Sequence, residues 1–157
     1  MIYLGGKASS IDEGIALAES AILSGRALHK LAEMIEYQGG NKAVIDDYSL
    51  FPEAKLSAEI KALRSGYIES IDAEEIGLAS QHSGAGRASK EDEIDHSAGI
   101  KLVAKRGDRV ELSDTLAIVY SSDEGKLKQA CEEVLSAYAI SDSQPKAEPL
   151  IKTMIGL

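Results

Sequence analysis

Two stretches near the start of the chain carry apolar residues at helical spacing. In residues 9–25, Ser10 precedes Glu13 by three positions, which is the pattern of a capping box, and isoleucines and alanines then recur every three or four residues. Residues 26–41 carry leucines on one helical face and end in a pair of glycines. The pattern predicts a pair of helices whose apolar faces have few partners in the neighbouring sequence.

In the middle of the chain the spacing of apolar residues changes from helical to alternating. Residues 56–71 alternate apolar and polar positions and are interrupted by a Ser-Gly pair, which predicts two half-buried strands. Residues 72–84 then predict a short helix that begins at Asp72 and stops at Gly84.

The last third of the chain predicts short strands followed by one more helix. Residues 99–123 contain tight-turn signals at Gly107 and Ser113, which separate two or three strands. Residues 123–138 form an amphipathic pattern; the tail beyond is expected to be extended, with residues 150–157 able to add a strand. The inward positions of this predicted helix are Leu127, Cys131, Val134 and Leu135.

In this order the elements indicate an α+β fold that is part of an α/β domain, with a helix pair, a small mixed or antiparallel sheet and a late amphipathic helix. The Gly-Asp-x-Val segment at 107–110 resembles the hairpin of biotinyl and lipoyl carrier domains and predicts a barrel-sandwich, hammerhead-like element. In those carriers the hairpin bears a modified lysine, but here Asp123 stands at that position and Lys126 lies three residues later. A free-standing carrier or scaffold without enzymatic activity is therefore the alternative hypothesis.

The composition is that of an ordinary globular protein. The 157 residues are 44% hydrophobic and 27% charged, which suffices for the core of one domain without cross-links. A net charge of -9 argues against nucleic acid as a partner, because binding to a phosphate backbone needs a basic face. Cys131 is the only cysteine, which rules out an intrachain disulfide and favours a reducing compartment.

Neither a membrane span nor a secretion signal is recognisable. No apolar run reaches the length that a bilayer requires, and the opening residues MIYLGGKASS lack a charged start followed by a long apolar core. We therefore expect a cytoplasmic protein without a membrane partner.

The titratable residues do not form a known catalytic or metal-binding motif. His29, His82 and His96 lie far apart and lack the spacing of a helical zinc motif, so neither a metal nor a cofactor is expected. The paired acids are typical of solvated surfaces, and the sequence contains no nucleophile elbow, Walker loop or dinucleotide motif. Residue types and spacing alone leave the function open.

One glycine-rich stretch, SGAGRASKEDEIDHSAGI at residues 83–100, lies between more regular segments. Its three glycines, single arginine and acidic run are compatible with a phosphate loop, a hinge or a plain surface connection. A phosphate loop is disfavoured because the acids at 91–93 would repel an anion and no helix N-terminus directly follows Gly86.

Four motifs occur in order along the chain. They are Gly-x-Ile-x-x-Ile-Asp-Ala at 66–73, Gly-Ala-Gly-Arg at 84–87, Ile-Asp-x-x-x-Gly-Ile at 94–100 and Gly-Asp-x-Val at 107–110. Together with their surroundings they resemble the C-terminal part of the pyrimidine-nucleoside phosphorylase and thymidine phosphorylase family. The resemblance covers almost the whole chain and assigns residues 1–42 to a helical segment of a truncated central α/β domain and residues 43–157 to the C-terminal domain.

The resemblance implies a homodimeric pentosyltransferase of nucleoside salvage, with its active cleft between a helical and an α/β domain. Phosphate, the co-substrate, attacks C1′ of a pyrimidine nucleoside and yields the free base and a (deoxy)ribose 1-phosphate. The family's phosphate-binding and base-binding segments belong to its N-terminal part and have no counterpart here. The resemblance thus implies a C-terminal portion without catalytic residues, inactive alone, whose partner is the N-terminal portion; a fragment of a thymidine-specific enzyme is an alternative.

The same resemblance assigns the glycine-rich stretch to a loop that faces the cleft and takes part in its closure. The glycines would let the backbone turn, the arginine would make closing contacts, and the aspartate before the histidine would fix the base of the loop. The candidate site residues are Gly84, Gly86, Arg87, Asp95, His96 and Gly99.

Two structural expectations follow from this origin in a larger enzyme. The opening MIYLGG resembles part of a buried strand. The apolar faces of the first two helices should lack a cover within the chain and be exposed or buried by self-association, at Ile15, Ile22, Leu28 and Leu31.

Overall fold

A computed structural model of the chain describes residues 1–87, 89–149, 151–153 and 155. The described chain divides into two compact units, Met1–Phe51 and Pro52–Leu157, which we call the helical unit and the sheet unit. Among the described residues, none of the helices combines the length and the apolar character needed to cross a bilayer.

The helical unit contains the two helices that the sequence predicts. Its elements are α1 (Ile11–Leu23), α2 (Arg26–Tyr37) and two 3-10 turns (Lys42–Ile45 and Tyr48–Leu50). The Glu13 N–H donates to Oγ of Ser10 at 3.1 Å, which caps α1, whereas the Glu13 carboxylate accepts from the backbone and hydroxyl of Ser9. Gly25, at φ 74°, turns the chain between the helices.

The apolar faces of these helices are exposed, as the sequence predicts. The exposed fractions are 53% at Ile15, 69% at Ile22, 51% at Leu28 and 41% at Leu31. Within Met1–Phe51, all of which the structure describes, Gly14 is the one buried residue. The helical unit therefore has regular secondary structure but almost no interior of its own.

The opening MIYLGG forms turns, so the expectation of a buried strand is wrong. The Gly5 N–H donates to the Met1 carbonyl at 2.8 Å, and the Lys7 N–H donates to the Ile2 carbonyl at 3.1 Å. The helical unit, described in full, offers no strand with which this segment could pair. Without a pairing strand the backbone groups bond locally, and Gly6 at φ 67° accommodates the turn.

The sheet unit alternates short strands with two helices and confirms the α+β class. Its elements are β1 (Leu56–Lys61), β2 (Gly66–Ile71), α3 (Ala73–Ser80) with a π turn (Gln81–Ala85), β3 (Gly99–Leu102), β4 (Arg109–Val110), β5 (Thr115–Ser121), α4 (Glu124–Ser136) and β6 (Tyr138–Ser141). The described strands form two antiparallel sheets, ordered β1-β5-β3 and β4-β2-β6. β1 and β2 are neighbours in sequence but belong to different sheets.

Two apolar clusters form the core of the sheet unit. One lies between the β1-β5-β3 sheet and the helices and consists of Ile60, Ala79, Ala117, Val119, Ala130 and Val134. The other lies beside the second sheet and consists of Ala62, Ile68, Ala104, Val110 and Leu116. Tyr138 borders both clusters, and its hydroxyl lies 3.0 Å from the Leu116 carbonyl and 3.2 Å from the Ala104 carbonyl. The predicted inward face of α4 is confirmed, since Val134 is buried and the other three positions pack against the first cluster.

The end of the chain differs from the sequence-based expectation. β6 follows α4 directly and pairs with β2, from Ile71 opposite Tyr138 to Tyr67 opposite Ser141, whereas no strand is predicted there. The added strand expected at 150–157 lies partly outside the described residues, and residues 151–153 and 155 have no regular secondary structure.

The position at which carrier domains bear the modified lysine is the start of a helix in this chain. Asp123 caps α4, because its carboxylate accepts from the Lys126 N–H at 2.8 Å. Lys126 therefore lies in the first turn of a helix, where a swinging-arm attachment is not expected.

Candidate functional site

The glycine-rich stretch forms a loop that leaves the sheet unit at the π turn and returns just before β3. The Gly84 carbonyl accepts from the Asp95 N–H at 2.9 Å, which joins the two ends of the loop. Gly84 has φ 112°, a conformation that residues with a side chain rarely adopt. The chain can therefore turn out of the helix at this position because the residue is glycine.

Asp95 is the centre of the hydrogen bonds at the loop base. Its Oδ1 accepts from the Ser97 N–H at 2.9 Å and from the Ser97 hydroxyl at 2.5 Å. Hydrogen bonds from the Ser122 side chain and from Ser97 lower the pKa of Asp95 to about 2. The carboxylate is therefore ionised at neutral pH and connects the returning chain to the end of β5.

The outgoing side of the loop is fixed to the same end of β5. The Ser121 hydroxyl donates to the Ser83 carbonyl at 2.7 Å, and both serines are buried. The Ser83 hydroxyl donates to the Ser80 carbonyl at 2.7 Å, so the buried hydroxyl is also paired. Both ends of the loop are thus attached to β5 or to the residue that follows it.

A second attachment joins the π turn to α4. Nδ1 of His82 lies 2.9 Å from both carboxylate oxygens of Glu133, and Gln129 donates to the same carboxylate at 2.9 Å. Because an ionised carboxylate only accepts hydrogen bonds, Nδ1 of His82 carries the proton. Partial burial opposes ionisation of Glu133, but the hydrogen bonds from Gln129 and His82 outweigh it, and the pKa of Glu133 is lowered.

The start of the loop is held by a third contact, from Gln81. Its side-chain amide donates to the backbone carbonyl of Arg87. A Cβ placed on Gly86 would lie 3.0 Å from Cγ of Gln81, so the glycine allows the two residues to pack closely. The Arg87 side chain itself is exposed.

The remaining candidate residues lie at the returning end of the loop. His96 is exposed, and no hydrogen bond or ion pair among the described residues joins it to His82. Gly99 begins β3, where it pairs with Tyr120 of β5. The structure thus brings Gly84 and Asp95 together and places Arg87 at the surface. His96 and Gly99 lie at the returning end of the loop, next to β3.

The acids at 91–93 are exposed, and the described residues of the loop include no groups arranged to hold a cation. Asp92 accepts from the backbone and hydroxyl of Ser89 at 2.8 and 2.9 Å. Across the described residues, no group of three or more His, Cys, Asp or Glu side chains is arranged to hold a metal ion. A cavity of about 170 Å³ lies beside the loop and is lined by Gln81, His82, Gly86, Asp92, Lys126 and Gln129.

Sequence reasoning missed the side chains of Gln81, His82 and Glu133. His82 and Glu133 are 51 residues apart in the chain, and an isolated histidine and a glutamate on an amphipathic helix give no signal that they meet. The signal that the sequence offered for this part of the site is the polar character of the last helical turn before the Gly-Ala-Gly-Arg motif.

Comparison with known proteins finds one family consistently. Residues 67–141, from β2 to β6 and including the loop, match the family model described as pyrimidine nucleoside phosphorylase C-terminal domain. The chain is 37% identical over 155 residues to a pyrimidine-nucleoside phosphorylase of Bacillus subtilis, covering 99% of this chain and 35% of that protein. A pyrimidine-nucleoside phosphorylase of Staphylococcus aureus is 43% identical over 122 residues, covering 78% of this chain and 28% of that protein. The chain thus spans about a third of the length of the curated relatives it matches.

Proposed function

We propose that this chain supplies the C-terminal, cleft-closing portion of a pyrimidine-nucleoside phosphorylase, the family whose C-terminal domain model matches residues 67–141. The reaction is attack of phosphate on C1′ of a pyrimidine nucleoside, which releases the base and forms a (deoxy)ribose 1-phosphate. The observation that carries the proposal lies inside the matched region, where a loop with a fixed base exposes the guanidinium of Arg87.

Arg87 carries the positive charge that the closed cleft requires in this proposal. Phosphorolysis develops negative charge on the departing base while a phosphate is held nearby, and a guanidinium donates several charge-assisted hydrogen bonds to such groups. The glycine at φ 112° at the start of the loop and the glycine that begins β3 are the positions at which the backbone can adjust. In this proposal Asp95 keeps the loop base fixed, so that the loop presents Arg87 to the opposite side of the cleft when the cleft closes.

The helical unit supports a second part of the proposal, which concerns partners. Its α1 and α2 expose large apolar side chains on faces that this chain does not cover. We infer that residues 1–42 are the end of a central α/β domain and that the preceding polypeptide of the enzyme covers these faces. The complete enzyme is then a cytoplasmic homodimer, and residues 43–157 form its C-terminal domain.

The phosphate-binding and base-binding groups belong to the other part of the enzyme in this proposal. The isolated chain is therefore inactive, and the preference between uridine and thymidine is set outside it. For the complete enzyme we propose the broad pyrimidine specificity that the names of the relatives express, and an assay of that enzyme with both nucleosides tests it.

A chimera tests the role of Arg87. In it, this chain replaces the corresponding C-terminal region of the Bacillus subtilis relative, with which it aligns over 155 residues. Arg87→Ala should lower kcat/KM for uridine by about 10-fold to 100-fold, since it removes one donor to a developing charge. The matched control is Arg109→Ala, because Arg109 is also exposed and its ion pair with Glu111 at 3.1 Å lies on β4, outside the loop. Equal activity of the two variants would contradict the proposal.

A further inference from the structure

We propose that two adjacent residues of the π turn, Gln81 and His82, are positioning residues that fix the backbone of Arg87 relative to α4. The inference rests on the proposed function in one respect, since it takes Arg87 as the group that the loop presents. The positions of Gln81 and His82 follow from contacts that do not depend on any reaction.

Gln81 holds the beginning of the loop by two kinds of contact. Its amide donates to the Arg87 carbonyl, and its Cα, Cβ and Cγ lie against Gly86, where an added Cβ would stand 3.0 to 3.2 Å from them. The hydrogen bond restrains the backbone of Arg87 while the guanidinium stays exposed. A loop arginine restrained in this way loses less conformational entropy when it binds an anion than an arginine on a free loop.

His82 ties the turn that carries Gln81 to a helix of the core. Its Nδ1–H donates to Glu133 on α4, and Gln129, also on α4, donates to the same carboxylate at 2.9 Å and helps to hold it in place. α4 is itself anchored by the buried Ala130 and Val134. The chain of contacts therefore runs from the core through α4, His82 and Gln81 to the backbone of Arg87.

The geometry of the turn explains why these two residues can act together. Gln81–Ala85 is a single π turn that continues α3, and wide turns of this kind occur frequently at functional sites. Consecutive residues on a helical turn point in different directions, so Gln81 reaches the loop while His82 reaches α4. Neither contact includes the Gly84–Asp95 hydrogen bond at 2.9 Å that closes the loop base, so the two restraints can be separated by experiment.

The test for Gln81 uses the chain as it is, without substrate. Gln81→Met keeps the packing against Gly86 but removes the amide donor. We expect the 15N order parameter of the Arg87 amide to fall from about 0.85 to below about 0.6, the range of flexible backbone. Hydrogen exchange of the Asp95 amide should stay unchanged, because that bond belongs to the loop base. The control is Gln144→Met, since the Gln144 amide donates to the Gly107 carbonyl at 3.2 Å away from the loop.

Each outcome decides the role of Gln81. An unchanged order parameter at Arg87 in Gln81→Met overturns the proposal. Loss of order at Arg87 together with loss of protection at Asp95 also overturns it, because Gln81 would then stabilise the whole loop rather than position one residue. Should Gln81→Met fail to fold, Gln81→Glu, which keeps the side-chain length but has no amide donor, is measured in the same way.

The test for His82 adds rescue by a conservative variant. His82→Leu should loosen Arg87 as Gln81→Met does, whereas His82→Asn, whose amide can donate from nearly the position of Nδ1, should restore the order of Arg87. His29→Leu is the matched control, because His29 also pairs with a glutamate, at 3.2 Å from Glu33, but in the helical unit. Equal mobility of Arg87 in His82→Leu and His82→Asn would overturn the role of the hydrogen bond.

These measurements separate the inference from the proposed function. They measure the order parameter of the Arg87 amide in the absence of substrate, so an inactive chimera would not change the result for Gln81 and His82. Conversely, an Arg87 that is ordered independently of Gln81 and His82 would overturn the positioning role and leave the effect of Arg87→Ala on phosphorolysis unaffected.

Discussion

The helical unit and the sheet unit follow local sequence signals equally well but differ in what they bury. In the sheet unit two apolar clusters surround side chains such as Ile68, Leu116 and Val119, which are at most 1% exposed. In the helical unit, described over its whole length, Gly14 is the one buried residue, and Leu23 and Tyr37 are 89% and 90% exposed. Capping residues and glycine stops suffice to set the ends of a helix, whereas burial needs a second apolar surface.

This difference separates a unit that has its own core from a unit that does not. The sheet unit has a closed core, satisfied polar groups and a loop with a fixed base, which are the properties of a domain that folds alone. The helical unit has the amphipathic pattern without the partner that the pattern requires. Substitutions that change the stability strongly in one unit and hardly at all in the other test this difference.

The largest expected effect is a core truncation in the sheet unit. Ile68→Ala removes a fully buried side chain and should lower the free energy of unfolding of the sheet unit by about 3–4 kcal/mol. The same change in the helical unit, Ile22→Ala, removes a side chain that is 69% exposed and should alter stability by less than about 0.5 kcal/mol. Urea unfolding, followed at the amide resonances of each unit, measures the change in the free energy of unfolding for both variants. A comparable loss of stability in the two variants would contradict the difference between the units.

A smaller effect is expected at a glycine that the second sheet requires. A Cβ on Gly66 would lie 2.5 Å from the Ser141 carbonyl oxygen and 2.7 Å from Cγ2 of Ile140, and the residue has φ 156°. Gly66→Ala should therefore destabilise the sheet unit by about 2 kcal/mol by separating β2 from β6. Gly77→Ala is the control, because no atom within 4 Å opposes its Cβ on α3 and it should stabilise by about 0.5–1 kcal/mol. Thermal denaturation of the two variants should give shifts of the melting temperature in opposite directions.

The smallest effect concerns the charge at the loop base. The pKa of Asp95 is about 2, below the 3.8 of an unperturbed aspartate, so the folded chain gains stability from the ionised form. This contribution is complete above about pH 5 and is lost as the pH falls through 4 towards 2, and we expect about 1 kcal/mol for a partly solvated group. Asp95→Asn should remove that pH dependence, whereas Asp142→Asn at an exposed site should not. A wild-type stability that stays flat between pH 4 and 2 would contradict the assignment.

Elements defined by neighbouring residues could be predicted from the sequence. Ser10 and Asp72 cap the helices where expected, each by accepting a backbone N–H within its own first turn. The turns at Gly107 and Ser113 occur as predicted, at φ 92° and 70°. In all these cases the signal and the contact lie within a few residues of each other.

Elements defined by distant residues could not be predicted. β6 begins at Tyr138, the last residue of the predicted helical pattern, and it becomes a strand because β2 pairs with it. The contact between His82 and Glu133 spans 51 residues, so neither position indicates its partner. The resemblance of the loop motifs predicts Asp95 as a residue of the loop base, whereas the side chains that surround Arg87 depend on how α3 and α4 pack.

The most direct test is phosphorolysis of uridine and thymidine with phosphate present, by this chain alone and by the chimera with the Bacillus subtilis relative. We propose that this chain is one part of a larger catalytic cleft. We expect no base release above background from the chain alone and clear release from the chimera. Turnover by the isolated chain, or a folded chimera without activity, would contradict it.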